Sequence, residues 1–340
     1  MTKKKIGRQT VKLLNPPSIL ATYSIVGPKE GEGPLSNYFH HILQDDLYGE
    51  DSWEKAESKM LKEAVKSAVM EARLTLEDID YLFAGDLLNQ LMSSTFAARD
   101  LQIPYFGLFG ACSTMAQALS LAAMMIDGGY GHHIIATTSS HFSSAERQFR
   151  FPLELGNQRP LTTQWTVTGA GAAVIAQRGK GPYITHITTG KVLDYGIIDA
   201  NNMGAAMAPA AVDTIRAHFE DIGNSPDEYD LIITGDLGKI GRNIAGDLLR
   251  KEGINVEKKL KDCGVEIFDH DKQDTHAGGS GCGCSAVVFS GYLYKMLKEK
   301  RFNKILLVST GALLSPTSIQ QGESIPSIAH AVTIEGGLDG

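Results

Sequence analysis

A chain of 340 residues, 43% hydrophobic and 21% charged, can bury one large core or two fused ones. Its net charge of -7, with no long basic run, argues against nucleic acid as the main partner. No stretch of about 18 uncharged apolar residues is available to cross a bilayer, and the basic start Met1 to Lys5 is followed by no signal-peptide apolar segment. Four cysteines, at 112, 263, 282 and 284, are too few and too uneven for a disulfide framework, which points to a reducing compartment during folding.

In chain order, Ser18 to Val26 predicts a first strand. Glu54 to Ala72 predicts an amphipathic helix with Leu61, Ala64, Val65, Ala68, Val69 and Ala72 on its apolar face. Tyr81 to Ala84 is a short buried strand. Cys112-Ser113-Thr114-Met115 then leads an almost wholly apolar helix ending at Gly128-Gly129, ahead of a strand His133 to Thr138. His141 to Trp165 fits no regular plan and reads as an insertion over a site or along an oligomer interface.

The same pattern then returns. Leu74 to Leu87 is a polar turn, an apolar run and Gly-Asp-Leu; Ser225 to Leu237 has the same order and also ends in Gly-Asp-Leu. Ala211, Val212, Ile215 and Phe219 fall at helical spacing before the strand Leu231 to Thr234, and Gly281 to Ser285 leads a second helix before Lys304 to Ser309. Strands alternating with helices imply helix-covered sheets with right-handed crossovers. The expected fold is therefore a duplicated α/β structure layered α-β-α-β-α, divided into 1–190, which carries the 141–165 insertion, and 191–340.

Two roles are open to Cys112. A thiolate at a helix N-terminus meets free backbone N–H groups and the positive dipole end, which can lower its pKa and let the adjacent amides stabilise an oxyanion. The alternative is a small apolar residue packed at a tight turn. Asp269-His270-Asp271, Asp274 and His276 crowd acids and imidazoles together, but show neither a calcium-loop spacing nor a paired zinc motif. Cys282-Gly283-Cys284 lacks a second pair to complete a ligand set. We expect no metal site and no cofactor.

Phe109-Gly110-Ala111-Cys112-Ser113 resembles the nucleophile elbow of thiolases and type III ketoacyl synthases. Thr168-Gly169-Ala170-Gly171-Ala172-Ala173-Val174-Ile175 is similar to the Gly-Asp-Gly-Ala-Gly-Ala strand of that superfamily, with Thr168 where the acid usually stands. Asn202-Met203-Gly204 and Met207 to Ala211 resemble the opening of the thiolase C-terminal half. The resemblance covers nearly the whole chain and implies a nucleophile position at Cys112. It also implies a base at His276, in a stretch similar to the thiolase His-Pro-x-Gly. Where the family carries a catalytic His or Asn, this chain has Thr234-Gly235-Asp236-Leu237-Gly238, so the resemblance implies a scaffold without its full reaction machinery.

More narrowly, the chain is similar to a thiolase-fold family of stage V sporulation proteins in spore-forming Gram-positive bacteria, part of the machinery that moves dipicolinic acid into the forespore. This resemblance implies a ligand that is a planar dianion, bound alone or together with calcium, and partners among the other proteins of the spore dipicolinate channel. It implies a peripheral place at the forespore or spore inner membrane. It also implies a homodimer paired through the strand after the elbow helix, His133 to Ser139. Guanidinium forks or helix N-termini with an apolar wall would suit the two carboxylates. Cys112, His141, Arg147 and His276 are the candidate ligand residues, with Arg150, Arg159, Lys191, Lys239 and Arg242 as further cations. The competing reading is a coenzyme A thioester-dependent acyltransferase or condensing enzyme acting through Cys112.

Overall fold

The computed structural model describes residues 4–149 and 159–338. Its strands are β1 (Thr10–Lys12), β2 (Ser18–Val26), β3 (His41–Ile42), β4 (Tyr81–Gly85), β5 (Tyr105–Gly107), β6 (His133–Ser140), β7 (Trp165–Thr166), β8 (Gly169–Ala176), β9 (Tyr183–Thr188), β10 (Leu231–Thr234), β11 (Leu260–Asp262), β12 (Gly279–Ser280), β13 (Lys304–Ala312) and β14 (Ser327–Glu335).

The duplication is visible in the strand order. One run is β2-β8-β6-β4-β5 and the other β9-β14-β13-β10-β11. In each, the first two joins are antiparallel and the last two parallel. A single residue pair, Ser18 with Tyr183, connects the runs. The second set thus opens at β9.

Helices cover the sheets because their apolar stripes must be buried. Trp53–Glu71 starts at Ser52, whose side chain accepts from the Lys55 N–H. It lays Met60, Leu61, Ala64, Val65 and Ala68 on the outer face of the first sheet, beside the helix Met92–Leu101. Met203–Ile222 and Gly238–Lys251 cover the second sheet in the same way. Between the sheets lie Thr114–Asp127, which packs against β6 and β4 and also β13 and β14, and Cys282–Val288, which packs against β8, β6 and β2. Each middle helix is apolar nearly all round, as an element with sheets on both sides must be. The result is the α-β-α-β-α layering. No helix among the described residues is long and apolar enough to cross a membrane.

Two expectations are corrected. The strand β6 lies inside the sheet, bonded to β4 on one side and β8 on the other, so it has no edge to offer a second copy. The outer edge of that sheet is β5, where Phe106 is half exposed, as is Phe109 just beyond the strand. The 141–165 insertion is also not irregular throughout: it begins with a helix, Phe142–Phe149, and ends in β7, which pairs in parallel with β12.

Candidate functional site

The turn before Cys112 is held by its own side chains. The Ser113 hydroxyl donates to the Gly110 carbonyl (2.7 Å) and the Thr114 hydroxyl to the Ala111 carbonyl (2.6 Å), while the Gly110 N–H donates to Thr114 Oγ1 (3.1 Å). Ala111 sits at φ +48°, a left-handed conformation that costs an L-residue roughly 1–2 kcal/mol and that this web of bonds sustains. The second half closes against the turn at Gly311 of β13, where a Cβ would lie 2.2 Å from the Gly110 carbonyl oxygen. Only a residue without a side chain permits that approach. Cys112 is consequently buried, at 7% exposure, on the seam between the halves.

Asp236 meets it from the other side. The Asp236 carboxylate, 1% exposed, accepts from Thr310 Oγ1 (2.8 Å), Ser280 Oγ (3.1 Å) and the Gly281 N–H (3.0 Å), and its charge is felt at Cys112. Its backbone is fixed as well, because Gln164 Nε2 donates to the Asp236 carbonyl (2.6 Å) and to that of Gly279 (2.8 Å). Burial pushes Asp236 up to about 7, against the pull of its hydrogen bonds. A second buried carboxylate lies behind it: Asp262 accepts from Thr234 Oγ1 and from the N–H groups of Leu237, Gly238 and Val265, and burial raises it to about 6.

Burial decides the state of the sulfur, and Asp236 adds to it. Burial drives the Cys112 thiol well above the ordinary thiol value, and the charge of Asp236 and the neighbouring Cys282 push the same way; the Gly281 N–H opposes them. The lowering expected from the helix terminus is overruled. A buried neutral S–H is a poor nucleophile, since the nucleophile is the thiolate.

In front of Cys112 lies a narrow cleft with about 60 Å³ of space for water. Phe109, Phe149, Leu87, Met203 and Leu314 form apolar walls, and Cys112, Ser280, Thr166 and Glu146 supply polar atoms. Sequence reasoning missed Asp236 as a partner of the cysteine, and Glu146, Phe149 and Ser280 as lining. The repeat held the signal for Asp236. Cys282 opens the equivalent middle helix of the second half, and Asp86, the counterpart of Asp236 in the other Gly-Asp-Leu, is among the charges that raise the Cys282 thiol.

The structure does not bring the other expected residues to this cleft. His141 is fully buried; its Nε2 donates to the Asp46 carbonyl (2.8 Å), its Nδ1 accepts from the Ser143 N–H (3.1 Å), and burial lowers its pKa. Arg147 is on the far face of the Phe142–Phe149 helix, paired with Glu54 and set over the Trp53 ring. His276 bridges the Pro160 carbonyl (2.9 Å) and Asp274 (2.8 Å), and Arg159 holds the same Asp274 (2.7 Å), so both fasten one loop to another. Lys191 pairs with Asp213. Lys239 and Arg242 lie in the helix Gly238–Lys251, and Arg150 falls outside the described residues. Where Thr168 replaces the expected acid, Glu30 supplies one from elsewhere: its Oε1 accepts from the Thr168 N–H (3.0 Å). Among the described residues no group of histidines, cysteines and acids is placed to hold a metal ion, and all four cysteines are free and buried. Cys282 donates to the Ser139 carbonyl (2.9 Å) and Cys284 to that of Gly235 (3.4 Å), which is tight packing.

Comparison with solved structures supports the fold. The chain is similar to the 3-oxoacyl-[acyl-carrier-protein] synthase III of Aquifex aeolicus (TM-score 0.58, 15% identity, covering 94% of this chain and 99% of that one). It is also similar to human mitochondrial 3-ketoacyl-CoA thiolase in complex with CoA (0.59, 13%, 96% and 99%) and to a variant of Xanthomonas campestris OleA (0.61, 14%, 98% and 99%). At these identities the likeness is one of fold. Sequence gives the narrower relation: the chain is 47% identical over 332 residues to stage V sporulation protein AD of Bacillus subtilis (strain 168), covering 98% of each chain. The family model described as "Stage V sporulation protein AD (SpoVAD)" matches residues 7–335. The chain therefore belongs to the stage V sporulation protein AD family.

Proposed function

We propose that this thiolase-fold chain acts in sporulation as a binding protein for dipicolinic acid, a component of the machinery that imports the acid into the developing spore, and that the cleft at Cys112 receives the ligand. The observation that carries the reading is the Cys112–Asp236 pair. Acyl transfer by cysteine needs a thiolate and a base to form it; here burial first, and the charge of Asp236 second, favour the protonated sulfur. The cleft survives while its nucleophile is quenched.

The cleft's chemistry suits a planar ring with polar edges. Phe109 and Phe149 offer aromatic faces, and Phe109 is half exposed at the entrance. The inner end is formed by Cys112 and by Ser280, whose hydroxyl donates to Asp236. Acids are close by: Glu146 lines the wall and Asp236 stands behind Cys112. A dicarboxylate beside carboxyls is better accommodated when a proton on Asp236, or a calcium ion chelated by the ligand, offsets the charge. Calcium would thus enter as cargo.

The same proposal includes a homodimer formed edge to edge through β5, and a peripheral position at the spore inner membrane held by partner proteins. An edge strand with free backbone groups and exposed Phe106 supports the first. Equilibrium dialysis of the full chain against dipicolinate, run beside intact-mass measurement after incubation with acetyl-coenzyme A, tests the functional reading. Retained dipicolinate and an unmodified mass are expected. An acyl adduct or steady product formation that disappears in Cys112→Ala would replace it with the acyltransferase.

A further inference from the structure

We infer that the groove between the helices Trp53–Glu71 and Met92–Leu101 is a docking site for an acidic amphipathic helix of a partner protein. The groove encloses about 720 Å³, far more than the cleft at Cys112. Lys55, Lys59 and Lys62 stand along one wall; at 1.5 Å per residue they distribute three ammonium groups over about 10 Å, two turns of helix. Arg99 and Arg147 line it from the other elements. Five cations stand against Glu50, Glu54 and Asp100 in the lining and Asp51 beside Lys55, which leaves the groove positive by one on a chain whose net charge is -7. Between the charges lie Leu88, Met92 and Phe96, the last 45% exposed.

This pattern selects the occupant. An apolar strip flanked by cations spread over two turns matches a helix with apolar residues at i, i+3 and i+4 and carboxylates on its flanks. A small dicarboxylate would need cations converging on one point, and a flat bilayer does not enter a concave groove. The cations now pair with Asp51, Glu50, Asp100 and Glu54. Such partly exposed pairs are weak enough to be exchanged for a partner's carboxylates. The Phe142–Phe149 helix also gives Ser144, Arg147 and Gln148 to the groove and Ala145, Glu146 and Phe149 to the Cys112 cleft, so the docking face and the cleft share one wall.

The test places a photo-crosslinking benzoylphenylalanine at position 96 of the full chain in sporulating cells and sequences the peptide captured. The expected adduct is a partner segment with Asp or Glu flanking apolar residues at helical spacing. A synthetic peptide of that segment should bind the pure protein and weaken at least tenfold in the Lys55→Glu, Lys59→Glu, Lys62→Glu variant. Exchanging the peptide's acids for lysine should restore binding to that variant. Lys62→Glu alone, expected to weaken binding at least threefold, serves where the triple variant does not fold. No adduct, an adduct with lipid, with a second copy of this chain or with a basic segment, or an affinity indifferent to charge reversal overturns the inference. None of these outcomes depends on whether dipicolinate binds at Cys112.

Discussion

Across the seam between the two halves of the chain, the buried Asp236 carboxylate lies close enough to Cys112 for its charge to raise the thiol. One residue comes from the elbow of the first half and the other from the loop after β10 of the second, so the pair forms only when the halves close on each other. In a thiolase-like catalyst that second loop would bring an imidazole or amide to the sulfur. Here it brings a group that withholds the negative charge.

Cys112 should therefore be a slow thiol. Alkylation by iodoacetamide at pH 8, followed by peptide mass spectrometry, is expected to run at least about tenfold slower at Cys112 than at an unstructured cysteine. Asp236→Asn removes the charge and should accelerate it. Fast labelling of the wild-type residue at pH 7 would contradict the pairing.

Stability should fall as pH rises past neutrality. Burial raises Glu57 to about 8, and Glu30 and Asp236 to about 7, so the folded chain holds protons that the unfolded chain has released by then. A raised carboxyl favours the fold below its unfolded pKa, and that contribution is lost as pH passes the folded value. Between pH 7.5 and 8.5 the urea midpoint is expected to decline. The buried histidines, all shifted downwards, oppose the decline near pH 6.5, where the unfolded imidazoles still bind protons, and drop out above about pH 7.5. Glu57→Gln, which carries no charge to bury, should flatten the decline; an unchanged slope would count against it.

Gly311→Ala should damage the elbow. Its Cβ would be placed 2.2 Å from the Gly110 carbonyl oxygen, and the backbone on either side has to move. We expect a loss of roughly 1–3 kcal/mol in chemical denaturation. Gly337→Ala, with nothing within 4 Å of the added atom, is the matching control.

Edge pairing through β5 predicts a dimer in light scattering, at twice the 36.7 kDa chain mass. Phe106→Lys places a charge on the exposed edge and should shift the mass towards the monomer. A monomeric wild-type chain at micromolar concentration would remove the dimer from the account.

Much of the scaffold was legible because burial dictates it. The apolar middle helix after Cys112, the amphipathic helix before β4 and the paired Gly-Asp-Leu segments each follow from periodicity and repetition, and together they imply the layering. The position of Cys112 was readable in the same way. Strand β9, which opens the second set, precedes the expected division at 190/191 because the motifs that mark the second half begin only at Asn202. Pairing through strand β6 was an implication of the resemblance, and order along the chain does not reveal which strands flank it. The site partners were hidden for a related reason. Asp236 acts through a contact with a residue 124 positions earlier in the chain, whereas His141, Arg147 and His276 had the right chemistry but are oriented by local bonds to Asp46, Glu54 and Pro160. Side-chain type is visible in a sequence; direction depends on packing.

The central claim is that dipicolinate occupies the cleft in front of Cys112. Calorimetric titration of the acid, with and without calcium, into the wild-type protein and into Ala312→Phe tests it most directly, because Ala312 lines that cleft and a phenyl ring there fills it. The account predicts measurable binding to the wild type, tighter with calcium or below pH 7, and at least a tenfold loss in a variant whose melting shows an intact fold. No heat of binding to the wild type, or equal affinity in the filled variant, would contradict it.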